Sequence, residues 1–191
     1  AKEWFQIPQG FLSVATNGAV FEDPYGEFTR RREYLLAYYP EDVIRKKLAA
    51  KTVAMAQAGQ YNYVRCCRRG EWESAYLAGG EFVRAALSVI YLLNKKYMPF
   101  YKWAFRGVET LTELRNAAVD LKAFVRLEDS SKNAVQKRIL IESICDEIVC
   151  ELRKKGYSTS NGDFLEPHGN SIMSGIQDDW LRSLHVMADY G

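Results

Sequence analysis

Three segments of the chain combine residue types that could do chemistry. In the first, Gln57-Ala-Gly-Gln60-Tyr-Asn62-Tyr63-Val-Arg65 runs on into Arg68-Arg69-Gly70. Amides, tyrosines and arginines are packed there into about four helical turns. At four-residue spacing Gln57, Tyr61 and Arg65 share a face, and Asn62, Arg65 and Arg69 form a neighbouring one. Arginine forks match phosphate oxygens two at a time, so this surface suits an anion, with Gln60, Asn62 and Tyr63 shaping the pocket. The competing reading is a buried polar network between two long helices. In the second segment, Tyr97-Met-Pro-Phe-Tyr-Lys102-Trp103-Ala-Phe-Arg106, Lys102 and Arg106 lie on one side of a short helix among aromatic rings. That arrangement could stack a base and hold a phosphate; it could equally cap the core while its basic heads reach for water. The third, Phe164-Leu-Glu166-Pro-His168-Gly, offers a carboxylate and an imidazole that could act on an acceptor hydroxyl. A lone loop histidine is more often structural.

Most catalytic signatures are missing. The sequence has no Gly-rich phosphate loop, no nucleophile elbow and no His-Glu-x-x-His. Holding Mg2+ on a triphosphate takes closely spaced carboxylates. Asp178 and Asp179 are adjacent rather than alternating, no Gly-Ser turn precedes them, and they read as a helix cap with an acidic first turn. Arg182-Ser-Leu-His185 has only a distant likeness to the Arg…His pair of helical ribonuclease domains. Cys66, Cys67, Cys145 and Cys150 contain no Cys-x-x-Cys pair, so reduced thiols are expected and zinc is not. No catalytic residue, metal site or resident cofactor is expected in this chain.

The elements that must position these segments read as helices. The 191 residues are 48% hydrophobic and 26% charged, with a net charge of +2, the balance of a globular protein. General nucleic-acid binding is disfavoured, since such domains carry a marked basic excess. No run approaches the ~18 apolar residues of a membrane span, and a cytoplasmic protein is expected. Asn17-Gly18 between short apolar runs signals a small N-terminal β-hairpin or loop, followed by a short helix near residues 29–38. Pro40-Glu-Asp opens a long helix to Gly70, kinked near Gly59; a second runs over 71–96. A short aromatic helix follows at 100–105, then a helix, or two short ones, over 111–125. A last long one ends at Lys154-Lys155-Gly156. The expectation is a single all-α domain over 1–191: a hairpin or loop and short helix (1–39), a bundle (40–156) and a loop-rich tail with short helices (157–191). The helices number about five to seven. A hairpin of the two long helices would separate the first two segments by ~26 Å along the axis at ~1.5 Å per residue, unless the chain folds back after Pro99. If the two segments lie far apart, at most one is a ligand site, and the Asn62-Arg65-Arg69 face is the preferred one.

The chain also resembles a known family. Asn17-Gly-Ala-Val-Phe-Glu-Asp, Glu27-Phe-Thr, Tyr38-Tyr-Pro-Glu-Asp, Gln57-Ala-Gly-Gln-Tyr-Asn-Tyr, Leu93-Asn-Lys-Lys-Tyr-Met-Pro-Phe-Tyr-Lys-Trp, Phe164-Leu-Glu-Pro-His and Leu181-Arg-Ser-Leu-His look like a helical domain of unknown function. In that family the helical domain follows a nucleotidyltransferase domain of the polymerase-β type. The resemblance implies an accessory half that binds substrate or nucleotide. A partner domain, upstream or in trans, would supply the Gly-Ser turn and the carboxylates for Mg2+ and a nucleoside triphosphate. Arg65, Arg69, Lys102 and Arg106 would then steady phosphates, with Trp103 beside them. The alternative class is a non-enzymatic interaction module, including a homo-oligomer.

Overall fold

The computed structural model describes residues 1–190, and all regular structure in them is helical. The N-terminal helices are α1 (Lys2–Gln6), α2 (Gln9–Thr16) and α3 (Glu27–Leu36). The long rod that follows is α4 (Glu41–Met55), a π-helical stretch (Ala56–Tyr63) and α5 (Val64–Arg69) in one continuous run. After Gly70, whose φ of 73° lets the chain reverse, α6 (Trp72–Leu93) returns along the rod. Then come α7 (Tyr101–Gly107), a 3-10 turn (Val108–Thr110), α8 (Arg115–Arg126), α9 (Ala134–Lys154), α10 (Leu165–Ser174) and α11 (Asp179–Ser183). Counting the rod once, the described residues form ten helices, more than the expected five to seven. The surplus is short pieces at the two ends of the chain.

The N-terminal hairpin is not there. Leu12-Ser-Val-Ala-Thr belongs to α2, which starts after Pro8 and turns Gln9 and Leu12 into the core. With no strand to pair with, the segment satisfies its backbone locally, as a helix does. Asn17-Gly18 serves instead as the exit from α2, where Arg32 Nη2 donates to the carbonyls of Thr16 and Gly18, both at 2.7 Å. The next helix is capped by Asp23, whose carboxylate accepts from the Thr29 amide at 2.7 Å. Asp178 does cap α11, accepting from Leu181 N at 2.9 Å.

Helix α6 is the axis of the core. It is long and apolar enough to cross a membrane, but 61% of its most apolar window is buried inside the protein, as expected of a central helix. Where the rod crosses it, Gly59 lies against Phe82, with no room for a methyl group. On the other side of the rod α10 packs along α4, and a side chain at Gly169 would meet Val53 and the Ala49 carbonyl. Helices α8 and α9 pair beside α6. One apolar core runs from Trp4 to Leu181, so the end helices share it with the bundle.

Candidate functional site

The first segment falls on the π-helical stretch, a rare geometry often found at functional sites. Its two glutamines and Tyr63 are spent within the fold. Gln57 donates to Glu166 at 2.6 Å. Gln60 donates to Glu142 at 2.8 Å and accepts from Leu165 N at 2.9 Å, so it caps the start of α10. The buried Tyr63 hydroxyl donates to Asp129 at 2.7 Å, and Lys137 reaches the same carboxylate oxygen at 2.6 Å. Burial, then the Asp129 carboxylate, push the Tyr63 phenol far above its ordinary range. Arg65 stacks on Tyr61, 4.9 Å from its ring centre, while Asn62 and Arg69 are exposed. The wider turns of a π-helix bring the two glutamines to bear on α9 and α10 and Tyr63 onto the loop before α9, adding polar ties to the packing of α10 along α4.

The third segment is also structural. His168 is fully buried; its Nδ1 lies 2.8 Å from Ser158 Oγ and its Nε2 3.0 Å from the Gly162 carbonyl. A carbonyl can only accept, so Nε2 carries the proton and Nδ1 accepts from the Ser158 hydroxyl. This serine–histidine pair is sealed from solvent, and Glu166 is occupied by Gln57. Neither is placed to reach an acceptor hydroxyl.

The second segment opens onto a cleft. Helix α7 folds back after Pro99 and, with the ends of α2 and α6, encloses about 540 Å³. Lys95, Lys96 and Arg106 bring positive charge to its wall; Tyr38, Tyr91, Tyr97 and Trp103 bring rings; Ser13, Thr16 and Asn17 bring neutral polar groups. No carboxylate lines it, and the three cations make no ion pair among the described residues. The Arg106 guanidinium lies 5.0 Å from the Trp103 ring centre, and Lys102 sits just outside, 6.0 Å from the same ring.

The framework of this cleft is fixed. The buried Gln9 amide donates to Ser88 on α6 at 2.9 Å and accepts from Met98 N at 3.2 Å, tying α2 to the loop before α7. Asn94 accepts from the amides of Thr112 and Glu113 and donates to Glu113 O. Tyr91 donates to Ala104 O at 2.8 Å, and Gly107 lies so close to that hydroxyl that no side chain would fit. Burial pushes the Tyr91 phenol up to about 12, so it stays a donor. Two lining residues hold left-handed backbone without being glycine, Tyr38 at φ 76° and Lys95 at φ 51°. Each costs on the order of 1–3 kcal/mol, and such strain concentrates at ligand sites.

The two segments do not meet. The first touches α6 near Gly79 and Phe82; the second encloses its far end at Tyr91 and Lys96. Gly79 and Tyr91 are separated by about 18 Å of helix at 1.5 Å per residue. The Asn62-Arg65-Arg69 face stays exposed, beside a cavity of about 670 Å³ lined by Gln60, Arg68 and Arg138 but also by Glu142 and Asp146, whereas the α7 cleft has no carboxylate in its wall. Tyr38, Asn94, Lys95 and Lys96 fall in segments that carry the family resemblance, but nothing in their spacing, or in that of Gln9, marks them as residues of a site. The two lysines beside Tyr97 were the available signal.

Residues 4–104, more than half of the chain, match the family described as Domain of unknown function (DUF4037). The chain belongs to this family. The DUF4037 match takes in the rod, α6 and the cleft wall as far as Trp103, and stops before Arg106. No curated protein and no solved structure matches the chain. All four thiols are free, and no cluster of three or more histidine, cysteine or acidic side chains able to hold a metal occurs among the described residues.

Proposed function

We propose that this DUF4037 chain is a binding domain for an anionic, ring-bearing ligand, a nucleotide or nucleotide-like substrate, and is the accessory half of a nucleotidyltransferase-like protein. The observation that carries this reading is the cleft at α7. Three unpaired cations and four aromatic rings converge there without a carboxylate. The half-exposed Trp103 suits stacking against a base, over a floor of the buried Tyr38, Tyr91 and Tyr97, and Lys95, Lys96 and Arg106 suit its phosphates. The chemistry, with Mg2+ and the nucleoside triphosphate, would belong to a catalytic domain upstream or in trans. The test is calorimetry of the 191-residue chain with ATP, tripolyphosphate and adenosine. ATP should bind, and Lys96→Ala and Arg106→Ala should weaken it, with Arg65→Ala unchanged. An absence of binding by the parent chain would favour the second reading, an interaction module. That reading has its own support in the exposed Phe21, Tyr25, Phe28 and Tyr34, and it is tested by sedimentation.

A further inference from the structure

On the side of α4 away from α6, three lysines lie beneath the C-terminal tail. Lys46 and Lys47 are both fully buried. The Lys46 ammonium donates to the carbonyls of His185 (3.0 Å), Val186 (2.9 Å) and Ala188 (2.8 Å), so all three of its protons are used. Lys47 and Lys51, one helical turn apart, both pair with Asp189, each at 2.8 Å. Phe5 lies under the first two ammonium groups, at 5.7 and 5.0 Å from its ring centre. Tyr39 lies under Lys47 at 5.7 Å, and its buried hydroxyl has no hydrogen-bond partner among the described residues.

Among the described residues the charges in this place do not balance: three ammonium groups face one carboxylate. The nearby Asp42 gives its carboxylate to the amides of Gln177 and Asp178, and Arg45 is matched by Glu41. A latch that only fastened the tail would need one lysine and one aspartate, since each further buried ammonium costs several kcal/mol unless paired. Burial pulls Lys46 down to about 8, with Lys47 beside it adding to the fall and Asp189 opposing it. The tail itself has no regular structure after α11. Its own backbone amides make little more than the Ala188 bond to His185 O and the Met187 bond to the His185 ring. Its polar contacts are largely with the donors that an incoming anion would use, and Leu184, Val186 and Tyr190 add apolar packing.

We propose that Lys46, Lys47 and Lys51 form a second anion site, suited to a short phosphate chain, which the C-terminal tail covers with Asp189 until the ligand displaces it. A chain of two or three phosphates supplies the missing negative charge and several acceptor oxygens in place of the tail carbonyls. The buried Tyr39 hydroxyl is a spare donor beside them. The phosphate chain could be free or the tail of a nucleoside triphosphate. This site is separate from the α7 cleft and does not depend on its ligand.

The experiment uses the full chain carrying Lys96→Ala and Arg106→Ala, so that the cleft is silenced. Hydrogen exchange of residues 184–190 is followed by mass spectrometry while tripolyphosphate or ATP is added. Faster exchange in the tail is expected with tripolyphosphate, and with ATP as well if nucleotides are a source. Unchanged or slower exchange with both ligands overturns the proposal. Asp189→Asn in the same background should raise tripolyphosphate affinity about tenfold, because the competing tail conformation is weakened. A folded Asp189→Asn chain with no gain also overturns it, and if that variant does not fold, the exchange result on the parent decides. A tail response in this background, together with calorimetry in which Lys96→Ala and Arg106→Ala leave the chain's ATP binding unweakened, would count against the cleft alone.

Discussion

His168 and Lys137 show how a buried polar residue is distinguished from a site residue. Each is saturated by partners inside the fold: Ser158 and Gly162 for the histidine, Asp129 and the Leu127 carbonyl for the lysine. Lys137 also sits 4.2 Å above the Phe124 ring. His168→Ala should destabilise the chain by about 2–4 kcal/mol, from a cavity plus two orphaned polar groups, without changing ligand affinity. Lys137→Ala leaves Asp129 with only Tyr63 and should cost about 3–5 kcal/mol. Both are read from urea midpoints beside a calorimetric titration. An affinity loss in a folded His168→Ala chain would return that residue to the site. Trp103 is the opposite case, half exposed and facing the cleft. Trp103→Ala should leave stability nearly unchanged and weaken nucleotide binding by about 1–3 kcal/mol, the worth of one stacked base.

At the scale of elements, the rod carries the argument. Its π-helical stretch widens the turns where Gly59 meets α6, and the row of Gln57, Gln60 and Tyr63 then reaches α9 and α10. A methyl group at Gly59 would lie 2.3 Å from Phe82 Cδ2, and one at Gly169 would lie 2.4 Å from Val53 Cγ2 and 3.0 Å from the Ala49 carbonyl. Gly59→Ala meets the middle of a buried ring. Gly169→Ala meets backbone on α4, which cannot turn away. Both should destabilise by about 1–3 kcal/mol or more, with Gly169→Ala the worse of the two. Thermal unfolding followed by circular dichroism ranks them; equal and negligible shifts would mean the helices separate at little cost.

Across the whole molecule, the chain ends are joined on α4. Burial pushes the Asp189 carboxyl up, but Lys47 and Lys51 together overcome this and hold it below its ordinary 3.8. A carboxyl depressed in the folded state stabilises the fold fully above its unfolded value and loses that contribution as the pH falls through its folded one. Stability should therefore drop below about pH 4, and Asp189→Asn should flatten that drop in urea titrations. An identical slope in the variant would place the acid sensitivity elsewhere. The 191-residue chain alone should also transfer no nucleotide from labelled triphosphates with Mg2+, and turnover above background would refute the accessory-half reading. The sequence by itself determined that the chain is helical, where the long helices lie and how α11 is capped, because periodicity and capping act between near neighbours. The same local logic misread Asn17-Gly18, since a turn signal makes a hairpin only when a second strand is there to pair. Tertiary structure decided which polar residues are spent and which are available. Lys46 meets carbonyls about 140 positions away, and Gln60 caps a helix 105 residues on. The cleft draws its wall from residues between Ser13 and Leu111. Burial and charge pairing at such separations leave no periodic trace along the chain, so only the packed fold could show that Gln57, Gln60 and Tyr63 of the rod are spent in packing and that the α7 segment lines a cleft.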